Sequence, residues 1–212
     1  MRNTINKKEI LKSYVSYVSS KSKRPKSFKS FAKRLNIEEK ALYSYFSNFD
    51  QVEAEVYVYF MKRTIKLLRK EKFDDKNEFL LALYYTFFEH LTANRTYIKT
   101  IAKIHFKKYE KLKTLTPLKQ LFVSHLEEHS VSQSVSLPDP LGKFQNKIWK
   151  EAAWSHFMFV FAFWLKDKSP GLEKTDMLIE KSLRLIKDLE HSPITDSALD
   201  FGKFMFKELK KF

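Results

Sequence analysis

Two histidines with the spacing of a metal site occur in the segment His125-Leu126-Glu127-Glu128-His129. Four residues apart on a helix, they would share one face and could bind zinc, and one group of metalloproteases uses the pattern H-x-x-E-H. No third ligand is evident, and the two glutamates suit a solvated helix end equally well. The sequence has no cysteine, and no Ser-His-Asp arrangement can be argued from it. We therefore predict no metal, no cofactor and no catalytic residue, and expect that the protein is not an enzyme.

Basic residues are concentrated near the N-terminus. The formal net charge of the chain is +15. Residues 1–47 carry twelve Lys and Arg against three Asp and Glu, a net charge of +9, whereas the other residues carry +6. A biased genome composition would spread this charge evenly along the chain. Because basic surfaces attract nucleic acid or anionic membrane, the asymmetry predicts an N-terminal region that faces a polyanion.

The elements that would position these residues are helical. Apolar residues recur at three- and four-residue steps, and no long stretch alternates with period two, so the sequence predicts an all-α protein. With only 3 Gly and 6 Pro, an all-β fold with many tight turns is not expected. The longest uncharged apolar run, Ala152 to Leu165, has 14 residues and is too short to span a bilayer. Without a secretory leader or cysteine, the protein is expected to be cytoplasmic.

Turn and capping residues set the expected helix boundaries. Ser27 is predicted to cap the second helix, and Asn36 is predicted to take the left-handed conformation at the following turn. A Ser- and Pro-rich loop is expected at residues 131–142. The predicted helices cover about residues 7–20, 28–35, 38–45, 76–92, 95–111, 117–130, 143–168, 174–190 and 196–211. A further helix is predicted to open at Asn48 or Asp50 and to run to about Lys70.

Residues 27–46, SFKSFAKRLNIEEKALYSYF, form a candidate helix-turn-helix. Ala32 is small enough for the two short helices to cross closely. Leu42 and Phe46 would bury against the first helix of the chain, which leaves the second short helix protruding. A protruding helix of this kind fits the major groove of DNA.

Three short motifs make this helix-turn-helix more specific. They are Ala32-Lys33-Arg34-Leu35-Asn36-Ile37, then Ala41-Leu42-Tyr43-Ser44-Tyr45-Phe46, then Asn48 with Asp50-Gln51-Val52. Together they resemble the N-terminal domain of the TetR/AcrR family of transcriptional repressors. The resemblance covers about residues 7–60. It implies a three-helix DNA-binding head at residues 1–48 and a helical ligand-binding and dimerisation body at residues 49–212.

The resemblance also implies which residues contact DNA. Ser27 matches the cap that bonds a phosphate, and Tyr43 and Tyr45 match aromatic positions whose hydroxyls contact the backbone. The predicted DNA-binding residues are Lys26, Ser27, Lys29, Lys40, Tyr43, Ser44 and Tyr45. The alternative interpretation is that Tyr43 is half-buried core and the lysines form a solvated face.

Three features depart from the family pattern. Asn36 replaces the usual turn glycine, and Phe49 replaces the lysine that normally meets a phosphate. Glu38 and Glu39 begin the recognition helix, where they suit the helix dipole but repel phosphates unless they face a base such as cytosine.

The segment from Gly142 to Lys168 is the most apolar part of the body. Its aromatic residues cover almost the whole circumference of a helix, which predicts burial on all sides and hence a subunit interface. The resemblance implies a homodimer in which this helix and the next pair with their mates. The predicted interface residues are Phe157, Phe161, Trp164, Leu178, Leu185 and Leu189. A monomeric aromatic core is the alternative.

An aromatic lining with few polar groups predicts a pocket for an apolar or aromatic small-molecule effector. The predicted lining residues are Tyr84, Phe87, Phe88, His105, Phe122, His125 and His156. Aromatic residues at helical spacing also form ordinary cores, which is the alternative here.

Two functions follow from these observations. The first is a ligand-responsive transcriptional regulator, expected to be a repressor, that binds a palindromic site on double-stranded DNA as a dimer. The alternative is a lipid- or isoprenoid-binding protein on a TetR-like fold without DNA recognition. Phe49, Glu38 and Glu39 favour that alternative.

Overall fold

The computed structural model describes residues 5–73, 75–105, 113–130 and 139–190. Within these ranges the secondary structure is entirely helical, so the predicted all-α fold is confirmed. None of the helices in the described ranges is long and apolar enough to cross a membrane. The helices are α1 Lys7–Lys21, α2 Phe28–Leu35, α3 Glu39–Tyr43, α4 Phe49–Leu68, α5 Lys76–Ala93, α6 Arg95–His105, α7 Thr116–Ser130, α8 Asp139–Lys166 and α9 Glu173–Glu190.

Contacts within the chain divide it into two compact units. The first takes in residues up to 72 together with residues 86–124, and the second takes in residues 73–85 and those from 125 onwards. The domain boundary predicted between residues 48 and 49 coincides with the start of α4 and stays a prediction. In the first unit, α1 packs against both α4 and α6.

The centre of the first unit is aromatic. The fully buried ring of Tyr14 on α1 meets Phe31 of α2 edge to face, with centroids 5.7 Å apart. On another side it stacks on Phe49 of α4 at 5.3 Å. One side chain thus joins three helices, and aromatic pairs of this kind stabilise a core beyond their buried area.

In the second unit, a buried carboxylate organises the turn from α8 to α9. Asp167 accepts hydrogen bonds from the backbone N–H and hydroxyl of Ser169, at 2.8 and 2.7 Å. It also accepts from the N–H and hydroxyl of Thr175, at 2.9 and 2.6 Å. Burial would raise the pKa of Asp167, but these hydrogen bonds outweigh it and hold the pKa well below its usual range. Two residues of this turn have a left-handed φ: Gly171 at 58°, which glycine adopts readily, and Leu172 at 66°.

Some predicted helix boundaries need correction. The loop expected to run to residue 142 ends earlier, because α8 begins at Asp139. Pro140 falls in its first turn, where proline removes no intrahelical hydrogen bond. The predicted recognition helix is also shorter, at Glu39–Tyr43. The helix expected at residues 196–211 lies outside the described residues.

Candidate nucleic-acid interface

The first short helix of the candidate motif begins at the predicted cap. Ser27 has extended backbone geometry, and its Oγ accepts a hydrogen bond from the N–H of Ser30 at 3.1 Å. In return, the N–H of Ser27 donates to Oγ of Ser30 at 3.1 Å. This reciprocal pair satisfies N–H groups that a helix start would otherwise leave exposed, so the predicted cap is confirmed.

The turn between α2 and α3 also has the predicted conformation. Asn36 lies in the left-handed region, with φ of 55° and ψ of 43°. Its position lets the N–H of Ile37 donate to the carbonyl of Ala32 at 3.1 Å, which closes the end of α2. Ala32 is buried, as expected for a close helix crossing.

Inner and outer faces are clearly separated on α3 and the turn after it. Leu42 and Phe46 are buried, whereas Tyr43 and Tyr45 keep 56% and 43% of their surface exposed. The ring of Tyr43 packs on Phe28 with centroids 5.1 Å apart, so it contacts the core while its outer part meets solvent. The hydroxyl of Tyr45 donates to the carbonyl of Ile5 at 3.2 Å, which ties the start of α1 to this surface.

A concave surface of about 1090 Å³ lies between α2 and α3. Four of the predicted DNA-contacting residues line it: Ser27, Lys29, Ser44 and Tyr45. The other three are exposed but lie outside its lining: Lys26, Lys40 and Tyr43. Glu38 and Glu39 line this surface too, so its electrostatic character is mixed. The DNA-contacting role of these residues stays a prediction.

Phe49 belongs to the packing of the head. Besides stacking on Tyr14, it meets Phe28 edge to face at 4.7 Å and Phe31 at 6.1 Å. The position at which the family pattern has a phosphate-binding lysine is therefore part of the aromatic core in this chain.

A buried charged cluster joins α1, the connector before α2, α4 and α6 in the first unit. Glu53 of α4 is fully buried and accepts a hydrogen bond from the Tyr14 hydroxyl at 2.5 Å and from Nε of Arg24 at 2.6 Å. Nη2 of Arg24 donates to Asp50 at 2.5 Å, and Nε2 of His105 lies 2.7 Å from the Glu53 carboxylate. Burial, and then the Glu53 charge, raise the pKa of Tyr14 far above its usual range.

No sequence motif predicts this cluster. The one sequence signal for it is that Glu53 lies between apolar positions on the buried side of α4, where an acid requires a partner. Asp50, Glu53 and His105 place three potential ligand atoms within 4.8 Å of one another and form the candidate metal group in the described part of the chain. Arg24 already donates to both carboxylates there, so a metal cation would meet a fixed positive charge.

The predicted pocket residues fall into both units. Phe87, Phe88, His105 and Phe122 lie in the first unit, and Tyr84, His125 and His156 lie in the second. Only one pair of them is joined by a hydrogen bond among the described residues: the Tyr84 hydroxyl lies 2.7 Å from Nδ1 of His156. Nε2 of His156 lies 2.8 Å from the Ser182 hydroxyl. Burial lowers the pKa of His156 and raises that of Tyr84 well above its usual range. The pocket itself stays a prediction.

The predicted interface residues differ in exposure. Phe157, Phe161 and Trp164 are buried within the chain itself, and Leu178 is half-buried. Leu185 is 58% exposed. Two further apolar side chains are also more than half exposed: Phe159 of α8 at 57% and Met177 of α9 at 51%. These three exposed side chains are available to a partner subunit, and the dimer stays a prediction. The side chain of Leu189 lies outside the described residues.

Comparison with known proteins concerns the part of the chain that the head motif does not cover. A sequence model described as the tetracyclin repressor-like C-terminal domain matches residues 80–205. No curated protein sequence shows significant similarity to the chain. The family match spans more than half of the chain, and it agrees with the family that the head motif resembles. The chain therefore belongs to the tetracyclin repressor-like, or TetR, family of transcriptional regulators.

Proposed function

We propose that this TetR-family regulator binds double-stranded DNA as a twofold dimer, with α3 in the major groove, and represses transcription. An apolar or aromatic small molecule in the second unit would shift the protein between DNA-binding and released states. Such an effector acts only through different affinities for those two states.

The observation that carries this proposal is the division of α3 and the following turn into two faces. Leu42 and Phe46 anchor the segment inward. The outward side therefore offers a lysine, a serine and two tyrosines, whose ammonium and hydroxyl groups suit phosphates and base edges. The net charge of +9 over residues 1–47 adds the sequence-independent attraction that DNA binding needs.

Exposed apolar groups on α8 and α9 support the dimer. Phe159, Met177 and Leu185 are each more than half exposed on the single chain. An interface between two copies would remove them from water. A twofold dimer would present two heads to two half-sites of a palindrome.

The surroundings of His156 support an effector of limited polarity. Tyr84 lies 5.3 Å from the His156 ring between centroids, and Phe157 lies 5.6 Å from Tyr84. An aromatic ligand would find ring partners here, and the His156–Ser182 hydrogen bonds could orient one polar group.

Fluorescence anisotropy with labelled duplex DNA from upstream of the gene tests the DNA-binding step. Lys40→Gln and Tyr43→Phe should each weaken binding by about 1–3 kcal/mol if they contact bases or ordered phosphates. If Lys40 contacts a phosphate, Lys40→Gln should also reduce the slope of affinity against salt by about one, whereas Tyr43→Phe removes no charge and should leave the slope unchanged. Lys181→Gln on α9, an exposed lysine of the second unit, is the control. Unchanged affinity in both head variants would contradict the placement of this interface.

A lipid- or isoprenoid-binding role without DNA recognition is the second candidate. It is favoured by Phe49, which packs in the aromatic core, and by Glu38 and Glu39 on the α2–α3 surface. Native mass spectrometry of the purified protein discriminates the two candidates. A retained lipid together with no duplex binding would support this candidate, whereas sequence-dependent duplex binding would contradict it.

A further inference from the structure

A second basic surface lies on the first unit, in a groove between α1 and α4. It encloses about 590 Å³. Six cationic residues line it: Lys8 and Lys12 from α1, and Lys62, Arg63, Lys66 and Lys70 from α4 and the turn after it. Tyr59 and Leu67 also line the groove. All six cations are exposed, Leu67 is 48% exposed, and Tyr59 is partly exposed.

The charge of this α1–α4 groove is not compensated by the described residues. No acidic side chain lines the groove in the described ranges. Glu55, one turn before Tyr59, is paired with Lys7 at 3.0 Å. Lys62 and Lys66 are four residues apart on α4, an arrangement that is unfavourable on a helix without a counter-ion, and Lys70 follows in the turn after α4. The groove therefore carries six positive charges that a bound anion would neutralise.

The operator bound by α3 does not account for the cations on the α4 wall of the groove. Lys62 lies roughly 20 Å along α4 from its first residue, Phe49, and Lys66 and Lys70 lie further still. The α1 wall begins at Lys8, three residues after Ile5, which lines the α2–α3 surface. The cations that are left for a second anion are therefore those on the α4 wall.

Size and lining favour a small ligand. The volume falls within the range of about 300–1,000 Å³ that is usual for small-molecule sites. Cations on both walls suit a chain of phosphates, and the partly exposed ring of Tyr59 offers a surface on which a base can stack.

We propose that the α1–α4 groove binds a nucleoside polyphosphate, with the phosphates between the lysine rows of α1 and α4 and the base on Tyr59. Such a site would give the regulator an anionic ligand in addition to any effector of the second unit.

Isothermal titration calorimetry of the full chain with ATP and with inorganic tripolyphosphate, without DNA, tests this site. The wild-type protein should bind both, and ATP more tightly. Lys62→Gln/Lys66→Gln should weaken the binding of ATP and of tripolyphosphate by about tenfold or more each, since two phosphate contacts are lost. Tyr59→Leu should weaken the binding of ATP by about threefold or more, since stacking of the base is lost. It should leave the binding of tripolyphosphate, which has no base, unchanged. Lys174→Gln/Lys181→Gln on α9 removes the same charge elsewhere and should have little effect. Circular dichroism checks that each variant remains folded.

Several results would overturn the proposal. These are absence of ATP binding by the wild type, equal losses in the two double variants, or tripolyphosphate binding as tightly as ATP. Random-sequence duplex DNA and phosphatidylserine vesicles are the remaining probes. If Lys62→Gln/Lys66→Gln weakened binding to either of them but left ATP binding intact, the groove would be a surface for that polyanion instead. Because the calorimetry contains no DNA, its outcome is independent of operator binding.

Discussion

Arg24 and Glu53 form an ion pair that joins the connector between α1 and α2 to the buried side of α4. Nε of Arg24 donates to Oε1 of Glu53 at 2.6 Å, and Nη2 donates to Oε2. The Glu53 side chain is fully buried, and the Arg24 side chain keeps only 21% of its surface exposed. Burial alone would lower the pKa of Arg24, but the hydrogen bonds and charge of Glu53 raise it instead. The candidate interface thus rests on a charged contact between elements distant in sequence.

Replacing Arg24 should destabilise the protein strongly. Arg24→Met leaves the Glu53 carboxylate buried without its guanidinium partner, and loss of one partner of a buried pair costs about 3–5 kcal/mol. Urea denaturation followed by circular dichroism measures the free energy of unfolding. Lys7→Met is the control, because it breaks the more exposed pair with Glu55 and should cost about 1 kcal/mol or less. An equal decrease in the free energy of unfolding of the two variants would contradict the claim that burial of Glu53 makes its pairing with Arg24 important for stability.

The turn of the helix-turn-helix offers a test of backbone conformation. Asn36 has φ of 55°, where a side chain with Cβ is strained. Asn36→Ala should lower the free energy of unfolding by about 1 kcal/mol, whereas Asn36→Gly should preserve or raise it. Thermal denaturation of the two variants checks this order. Greater stability of the alanine variant would contradict the left-handed assignment.

The charge on Asp167 should make stability depend on pH. Asp167→Asn removes a carboxylate that accepts four hydrogen bonds, and we expect a loss of about 1–2 kcal/mol at neutral pH. The lowered folded pKa means that this contribution is present above about pH 4, the ordinary value for an unfolded aspartate. As pH falls through the folded pKa, wild type and variant should converge in denaturation experiments. A constant difference down to acidic pH would contradict the cause given for the shift.

Exposed apolar residues of the second unit should control assembly. Phe159→Glu and Leu185→Lys each place a charge on a side chain that is more than half exposed in the single chain. Burying that charge at an interface is costly, so each change should weaken dimerisation by about tenfold or more. Sedimentation equilibrium measures the effect, with Lys174→Glu as the control for an added charge on the polar side of α9. An unchanged dimer dissociation constant in both variants would contradict an interface at Phe159 and Leu185.

Local features of the head could be predicted from the sequence because each depends on a few neighbouring residues. Ser27 as a cap and Asn36 as the left-handed residue are of this kind. The charged cluster could not be predicted, because it brings Arg24, Glu53 and His105 together from three elements distant in sequence. Hydrophobic periodicity does not indicate tertiary contacts of this kind. The burial of Phe157 and Trp164 shows a related limit. The aromatic circumference of α8 indicated burial, but not that the same chain supplies much of the cover.

Footprinting of the purified protein on DNA of its source chromosome tests the central claim most directly. We predict a protected inverted repeat whose half-sites lie about one helical turn, or a small multiple of it, apart. Protection should be lost with Lys40→Gln/Tyr43→Phe and retained with Lys174→Gln/Lys181→Gln. A chromosome without any protected sequence, or protection that survives the head double variant, would contradict DNA recognition by α3.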